Sequence, residues 1–173
     1  MSRHVGRYRA AAPQGIVFFE DAHYHSPEIK RVCLETIYRD ADIVSFNEEE
    51  LDETLRFYGG GTGEDELSAF VKGARLVRSR FGVRRGVVLH TKDYAMYVGE
   101  RGTLRMEDGM IYGNLLATAK AMNGTYGTMA QLKEVMELPL SSKGLAFLSR
   151  VHSEKEFSDV VLVPSRYIEK PRY

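Results

Sequence analysis

Ala41-Asp42-Ile43-Val44-Ser45-Phe46-Asn47-Glu48-Glu49-Glu50-Leu51 is the stretch that decides the fold class. Residues 41–46 are apolar and rich in strand formers, and Asn47 then offers a side chain able to cap a helix. That helix runs from Glu48 to Tyr58 and turns Leu51, Leu55 and Phe57 inward. A strand that passes directly into a helix is half of a parallel crossover unit.

The other half lies upstream. Gly15-Ile16-Val17-Phe18-Phe19-Glu20 reads as a strand buried on both faces, ending in the acids Glu20 and Asp21. Ser26-Pro27-Glu28 supplies an N-cap, a proline at the first helical position and an acid in the first turn. Ile29, Val32, Cys33 and Ile37 then mark one apolar face of a helix reaching about Arg39. Two strands alternating with two helices imply a mostly parallel sheet. Residues 1–14 carry Arg3, Arg7 and Arg9 without a clear period and form an uncertain N-terminal segment, read either as a frayed terminus or as a helix belonging to something missing. Residues 15–173 form the main body.

Downstream, Leu67, Phe70, Val71, Ala74, Leu76 and Val77 give a helix from about Glu64 to Phe81. Val83–His90 is a third strand, and a turn at Lys92-Asp93 leads into Tyr94–Val98 as a hairpin-like partner. The small residues of Gly113–Met122 suit a closely packed helix. Residues 128–137 and 141–149 are two more helices, and 159–164 is a last apolar strand. Gly59-Gly60-Gly61-Thr62-Gly63 reads as a hinge rather than a phosphate cradle, because no Gly-Lys-Ser/Thr follows it.

With 173 residues and 43% hydrophobic content the chain can bury one core, and a single domain is the simplest expectation. Lys+Arg and Asp+Glu balance at 24 each, so no global field draws it to nucleic acid or to an anionic membrane surface. Cys33 is the one cysteine, which excludes an internal disulfide and a multi-cysteine zinc site; it reads as a small buried hydrophobe. No apolar run approaches the ~20 residues of a membrane helix, and the Arg-rich start lacks a signal-peptide core. A cytoplasmic protein is expected.

Both early strands finish in acids: Glu20 and Asp21 after the first, Glu48 to Glu50 after the second. Ligands of open parallel sheets bind beyond the carboxyl ends of strands, and such oxygen donors suit magnesium alongside phosphate. The competing reading is that Glu48, Glu49 and Glu50 simply favour a helix dipole. His23 and His25 lie in a loop with no identified third metal ligand, and a solvated or capping role suits them better. His90, at a strand end beside Thr91, either lines a ligand pocket or satisfies a buried carbonyl.

Four segments in order resemble the ADP-dependent sugar kinases, the glucokinase and phosphofructokinase family of the ribokinase-like fold. They are Val44-Ser45-Phe46-Asn47-Glu48-Glu49-Glu50-Leu51, Val88-Leu89-His90-Thr91-Lys92, 113–122 (Gly-Asn-Leu-Leu-Ala-Thr-Ala-Lys-Ala-Met) and 162–171 (Leu-Val-Pro-Ser-Arg-Tyr-Ile-Glu-Lys-Pro). The resemblance implies a three-layer α/β architecture, incomplete here, with helices on both faces of a mostly parallel sheet. It implies phosphoryl transfer from ADP to a sugar or sugar-phosphate hydroxyl, with magnesium bridging phosphate oxygens. The family's Asn-x-x-Glu element looks like Asn47 and Glu50. Its His-x-Glu element looks like Phe18-Phe19-Glu20, with Phe18 in place of the histidine. Glu20 and Glu50 are thereby assigned to the metal, mostly through waters, with Asn47 and Glu48 organising the site. His90, Thr91, Tyr94, Val163 and Ile168 are assigned to the adenine pocket.

The resemblance also implies a Gly-x-Gly-Asp segment after Glu-Lys-Pro, whose aspartate is the base for the sugar hydroxyl; the sequence ends at Tyr173 without it. The family's N-terminal part, with its lid domain and most sugar contacts, has no counterpart in these residues. The expectation is therefore a partial nucleotide-binding large domain, inactive alone. The alternatives are a non-catalytic nucleotide-binding or regulatory module, and a self-associating structural protein whose incomplete sheet exposes edges.

Overall fold

A computed structural model describes residues 2–58, 65–102, 104–125 and 127–169. The glycine run 59–63 and the Lys170-Pro171 end of the last family-like segment lie outside the described residues. The elements are α1 (Ser2–Ala11), β1 (Phe18–Glu20), α2 (Pro27–Asp40), β2 (Ile43–Asn47), α3 (Glu48–Phe57), α4 (Glu66–Phe81), β3 (Gly86–His90), β4 (Tyr94–Gly99), α5 (Met106–Asn123), α6 (Met129–Met136), α7 (Ser142–Ser153) and β5 (Val160–Pro164). The strands hydrogen-bond in the order β1-β2-β3-β4-β5, in a mostly parallel sheet. The chain divides into two compact units, residues 1–89 with 98–100 and residues 90–97 with 101–173.

In the first unit, β1 and β2 run parallel with Phe18 opposite Ile43, Phe19 opposite Val44 and Glu20 opposite Ser45. Ile43 to Phe46 are buried on both faces of β2, as their composition predicts. The first strand, expected over residues 15–20 and buried on both faces, is instead three residues, and Phe18 is 53% exposed. Among the described residues β1 pairs with β2 alone, which leaves Phe18 and Glu20 on an exposed face. Residues 2–11 are helical. The Arg9 guanidinium donates to the Asp42 carboxylate at 2.9 Å and to the Asp40 carbonyl at 2.8 Å. Asp42 also accepts the Val17 N–H at 2.8 Å, so one nearly buried carboxylate ties α1 and the approach to β1 to the start of β2.

α2 starts where the Ser26-Pro27-Glu28 signal places it, with Ser26 as N-cap. Its inward face differs from the expected one. Lys30, Leu34 and Tyr38 are buried at i, i+4 and i+8, whereas Ile29 and Val32 are more than half exposed. The lysine claims the interior because carboxylates wait there, a pairing that apolar periodicity cannot foresee. Tyr38 fills the core, its ring 5.8 Å from Phe19, 5.8 Å from Phe46 and 5.5 Å from Phe81. In α3, Leu51 and Leu55 face inward with Thr54, and Phe57 is exposed. α4 buries Leu67, Val71, Ala74 and Val77 as expected, leaves Leu76 outside, and ends on Gly82 in the left-handed conformation, φ 69°.

In the second unit, α6 begins with a capping box between Thr128 and Gln131, and α7 with Ser141 as N-cap. α5 is longer than expected and is not packed on all sides. Met110, Thr118 and Ala119 are buried, but Tyr112 and Leu116 are exposed, and a Cβ placed on Gly109 or Gly113 would meet nothing within 4 Å.

Burial and the nearby Asp21 carboxylate push the Tyr38 phenol well above its ordinary 10.0. A raised folded-state value means native Tyr38 keeps its proton when the unfolded chain would lose it. This contribution is fully present below pH 10 and is lost as pH rises beyond it, by up to ~1.4 kcal/mol per pH unit. Tyr38→Phe should therefore flatten the alkaline limb of a thermal-denaturation series by circular dichroism. Equal loss of stability in variant and wild type between about pH 9 and about pH 11 would disprove this.

Candidate functional site

Sequence-assigned residues fall into two groups, one in each unit. In the first, Asn47 closes β2 and caps α3: its Oδ1 accepts the Glu50 N–H at 2.9 Å, and Glu50 Oε2 accepts the Asn47 N–H at 2.8 Å. This reciprocal box satisfies two helix-terminal donors and holds both side chains in one rotamer. Glu48 is half-buried and Glu49 exposed in the same first turn. Glu20 stands opposite Ser45, two residues before Asn47 in register, and the Asp21 N–H donates to the Ser45 carbonyl at 2.9 Å. The acids of the first and second strands therefore come from the carboxyl ends of adjacent parallel strands. Phe18 and Glu20, two apart in β1, share one face.

Beneath this turn lies a group that sequence reading missed. Lys30 is 1% exposed, and its ammonium donates to the Glu53 carboxylate at 2.9 Å and to the Glu50 carbonyl at 3.4 Å. It also lies 3.7 Å from the Asp21 carboxylate, itself 1% exposed. Asp21 accepts the Tyr24 hydroxyl at 2.8 Å, and burial together with this bond raises the Tyr24 phenol above its usual value. The available signal was the i, i+4, i+8 stripe Lys30, Leu34, Tyr38, in which a lysine takes a core position.

Among the described residues, no three His, Cys, Asp or Glu side chains gather as a metal cage. His23 and His25 are exposed, with ring centroids 5.8 Å apart. For a hydrated magnesium the donors still fit. Asn47 and Glu50 each commit one oxygen contact to the other and keep lone pairs, and such an ion needs one or two carboxylates besides water and phosphate.

The second group surrounds the turn between β3 and β4. The Thr91 N–H donates to the Tyr94 carbonyl at 2.9 Å, and Thr91 Oγ1 accepts the Asp93 and Tyr94 N–H groups at 3.0 and 3.1 Å. Thr91 is thus spent on shaping the turn. Tyr94 is fully buried, its ring 5.4 Å from Phe147, so it supports the region from within and forms no open wall. His90 is half-buried at the end of β3. Val163 lines a cavity of about 290 Å³ with Asn114, Leu115, Leu140, Arg166 and neighbours, whereas Ile168, half-buried, lies beyond it on the loop after β5. Asn114 Nδ2 donates to the Val163 carbonyl at 3.4 Å.

No site role was assigned to Asp93, Ser141, Gly144 and Ser165 from sequence, yet they join the pieces of this group. The Ser165 N–H donates to the Asp93 carbonyl at 2.9 Å, and Ser141 Oγ donates to the Asp93 carboxylate at 2.7 Å. The first turn of α7 presses on that carbonyl. A Cβ on Gly144 would collide with the Asp93 carbonyl oxygen and lie 3.0 Å from the Pro164 side chain.

The fold has known counterparts. Similar solved structures include the last common ancestor of ADP-dependent phosphofructokinases from Methanosarcinales, with a TM-score of 0.79 at 16% identity over 98% of this chain and 41% of its own. A phosphofructokinase from Pyrococcus horikoshii solved with AMP gives 0.77 at 18% identity over 99% and 41%. An ADP-dependent kinase complexed with fructose 6-phosphate and ADPβS gives 0.79 at 18% identity over 98% and 43%. The chain has the ribokinase-like α/β fold of the ADP-dependent phosphofructokinases. A curated ADP-specific phosphofructokinase of Methanosarcina acetivorans is 25% identical over 132 residues, 64% of this chain and 27% of that protein. Sequence and structural neighbours point to one family. The chain spans about a quarter of the curated relative and about two fifths of the solved ones. No family profile matches it.

Because Asp93 is held by Ser165 and Ser141, its carbonyl cannot retreat from a new methyl group. Gly144→Ala should lower stability by ~1–3 kcal/mol despite alanine's better helix propensity. Urea denaturation would measure it, and an unchanged or raised midpoint would refute the proposed close contact.

Proposed function

We propose that residues 1–173 are the nucleotide-side portion of an ADP-dependent sugar kinase, binding ADP with magnesium for transfer of its β-phosphoryl group to a hexose or hexose-phosphate hydroxyl. The observation that carries this reading is the coincidence of two independent features. Four family-like segments occur in family order, and the fold they build matches along nearly its whole length an ADP-dependent kinase solved with fructose 6-phosphate and ADPβS.

In this reading Glu20 and Glu50 hold a hydrated magnesium, which supplies charge neutralisation at the phosphates, while Asn47 and Glu48 keep the turn in shape. Glu50 is oriented by the Asn47 N–H it accepts, and Glu20 by the β1–β2 register. Adenine is taken by His90, Val163 and Ile168, with Thr91 shaping the turn beside them and Tyr94 as buried support. A cytoplasmic, glycolytic setting belongs to the same reading. The Gly-x-Gly-Asp element expected of the family would supply the base for the acceptor hydroxyl, so these residues alone bind nucleotide without turning over sugar.

Titration calorimetry on the 173-residue chain should give magnesium-dependent ADP binding, and Glu50→Gln should weaken it by about tenfold, the scale of one charged contact. A coupled assay with glucose or fructose 6-phosphate should show no turnover. Absence of ADP binding with magnesium present would sink the nucleotide reading, and robust turnover by this chain would sink its dependence on the aspartate segment.

A further inference from the structure

We propose that Lys30 is a positioning residue for Glu20 and Glu50, clamping the end of β1 to the first turn of α3; the role given to those acids rests on the nucleotide reading above. One ammonium serves both sides. Towards β1 it faces Asp21, the residue following Glu20, at 3.7 Å. Towards α3 it reaches the backbone carbonyl of Glu50 at 3.4 Å and the carboxylate of Glu53, one turn on, at 2.9 Å.

Such a group is costly to bury and is retained only where its partners hold it. Here the partners belong to the two strand-end segments that carry the candidate acids. Asp21 is as buried as the lysine and accepts the Tyr24 hydroxyl, so its carboxylate is held on the β1 side. On the α3 side, the Glu50 carbonyl accepts Thr54 Oγ1 at 2.8 Å as well as the ammonium, which fixes the backbone of the residue whose side chain closes the capping box. A plain structural ion pair would stabilise the whole unit evenly. A clamp should act locally, on the turn it grips.

The two roles separate by amide hydrogen exchange on the full chain. Lys30→Met alone leaves Asp21 buried without a countercharge and risks unfolding, so the informative variant is Lys30→Met with Asp21→Asn, which removes both charges at nearly constant volume. The proposal expects exchange at the Asn47 and Glu50 amides to quicken by about tenfold, while Val44 and Phe46 in β2 stay as protected as in the wild type. Magnesium–ADP affinity, measured in parallel, should fall by a similar factor. Wild-type exchange at Asn47 and Glu50 would overturn the proposal, as would uniform acceleration through β2 and α3, the mark of a merely structural pair. If the wild-type chain binds no magnesium–ADP, the nucleotide reading fails, and the exchange data still decide whether Lys30 holds the turn.

Discussion

A strand buried on both faces has nowhere to place a charged side chain except at its ends, and β2 obeys that constraint. Ile43 to Phe46 lie in the core, so the backbone of this segment is satisfied by its neighbours and its chemistry collects at Asp42 and Asn47. At the near end Asp42 accepts Val17 and Arg9, and its own carbonyl accepts the Arg85 and Gly86 N–H groups at 2.8 and 3.2 Å. At the far end Asn47 and Glu50 exchange hydrogen bonds. One end is therefore a structural knot, and the other presents acids on a fixed frame.

That asymmetry explains why so much was legible beforehand. β2, the Asn47 cap, the Ser26-Pro27 start of α2, the turn into β4 and the final strand are each set by local rules: apolar runs, capping residues and turn residues. Local rules survive folding because neighbours in sequence remain neighbours in space. The failures lie where a distant partner decides. Apolar period alone turned Ile29 and Val32 inward, but the pull of Asp21 and Glu53 on Lys30 rotates a different stripe into the core. The same blindness hid Asp93, whose importance comes from Ser141 and Ser165, 48 and 72 residues away.

Site residues divide along the same line. Asn47 could be read directly as a helix cap, whereas Glu50 was singled out through the family resemblance and the structure pairs the two in a capping box. Thr91 and Tyr94 were rightly placed at a strand end, yet their side chains work inward, one closing a turn and the other packing on Phe147. A motif match transfers a position, whereas direction depends on the three-dimensional packing around it.

The capping box constrains how Glu50 would serve the proposed magnesium. Its Oε2 accepts a backbone N–H whose loss would leave a helix-terminal donor unpaired, at a cost of ~0.5–2 kcal/mol. A direct magnesium bond to that oxygen would compete with the cap, while a bridging water can donate to a remaining lone pair and leave the cap intact. Magnesium gives up its waters reluctantly, so on the proposed reading both partners would favour an outer-sphere arrangement. The rigidity that the cap and the Lys30 contact give to this turn then becomes useful: a water-mediated ion is positioned only as well as the side chain that holds its water.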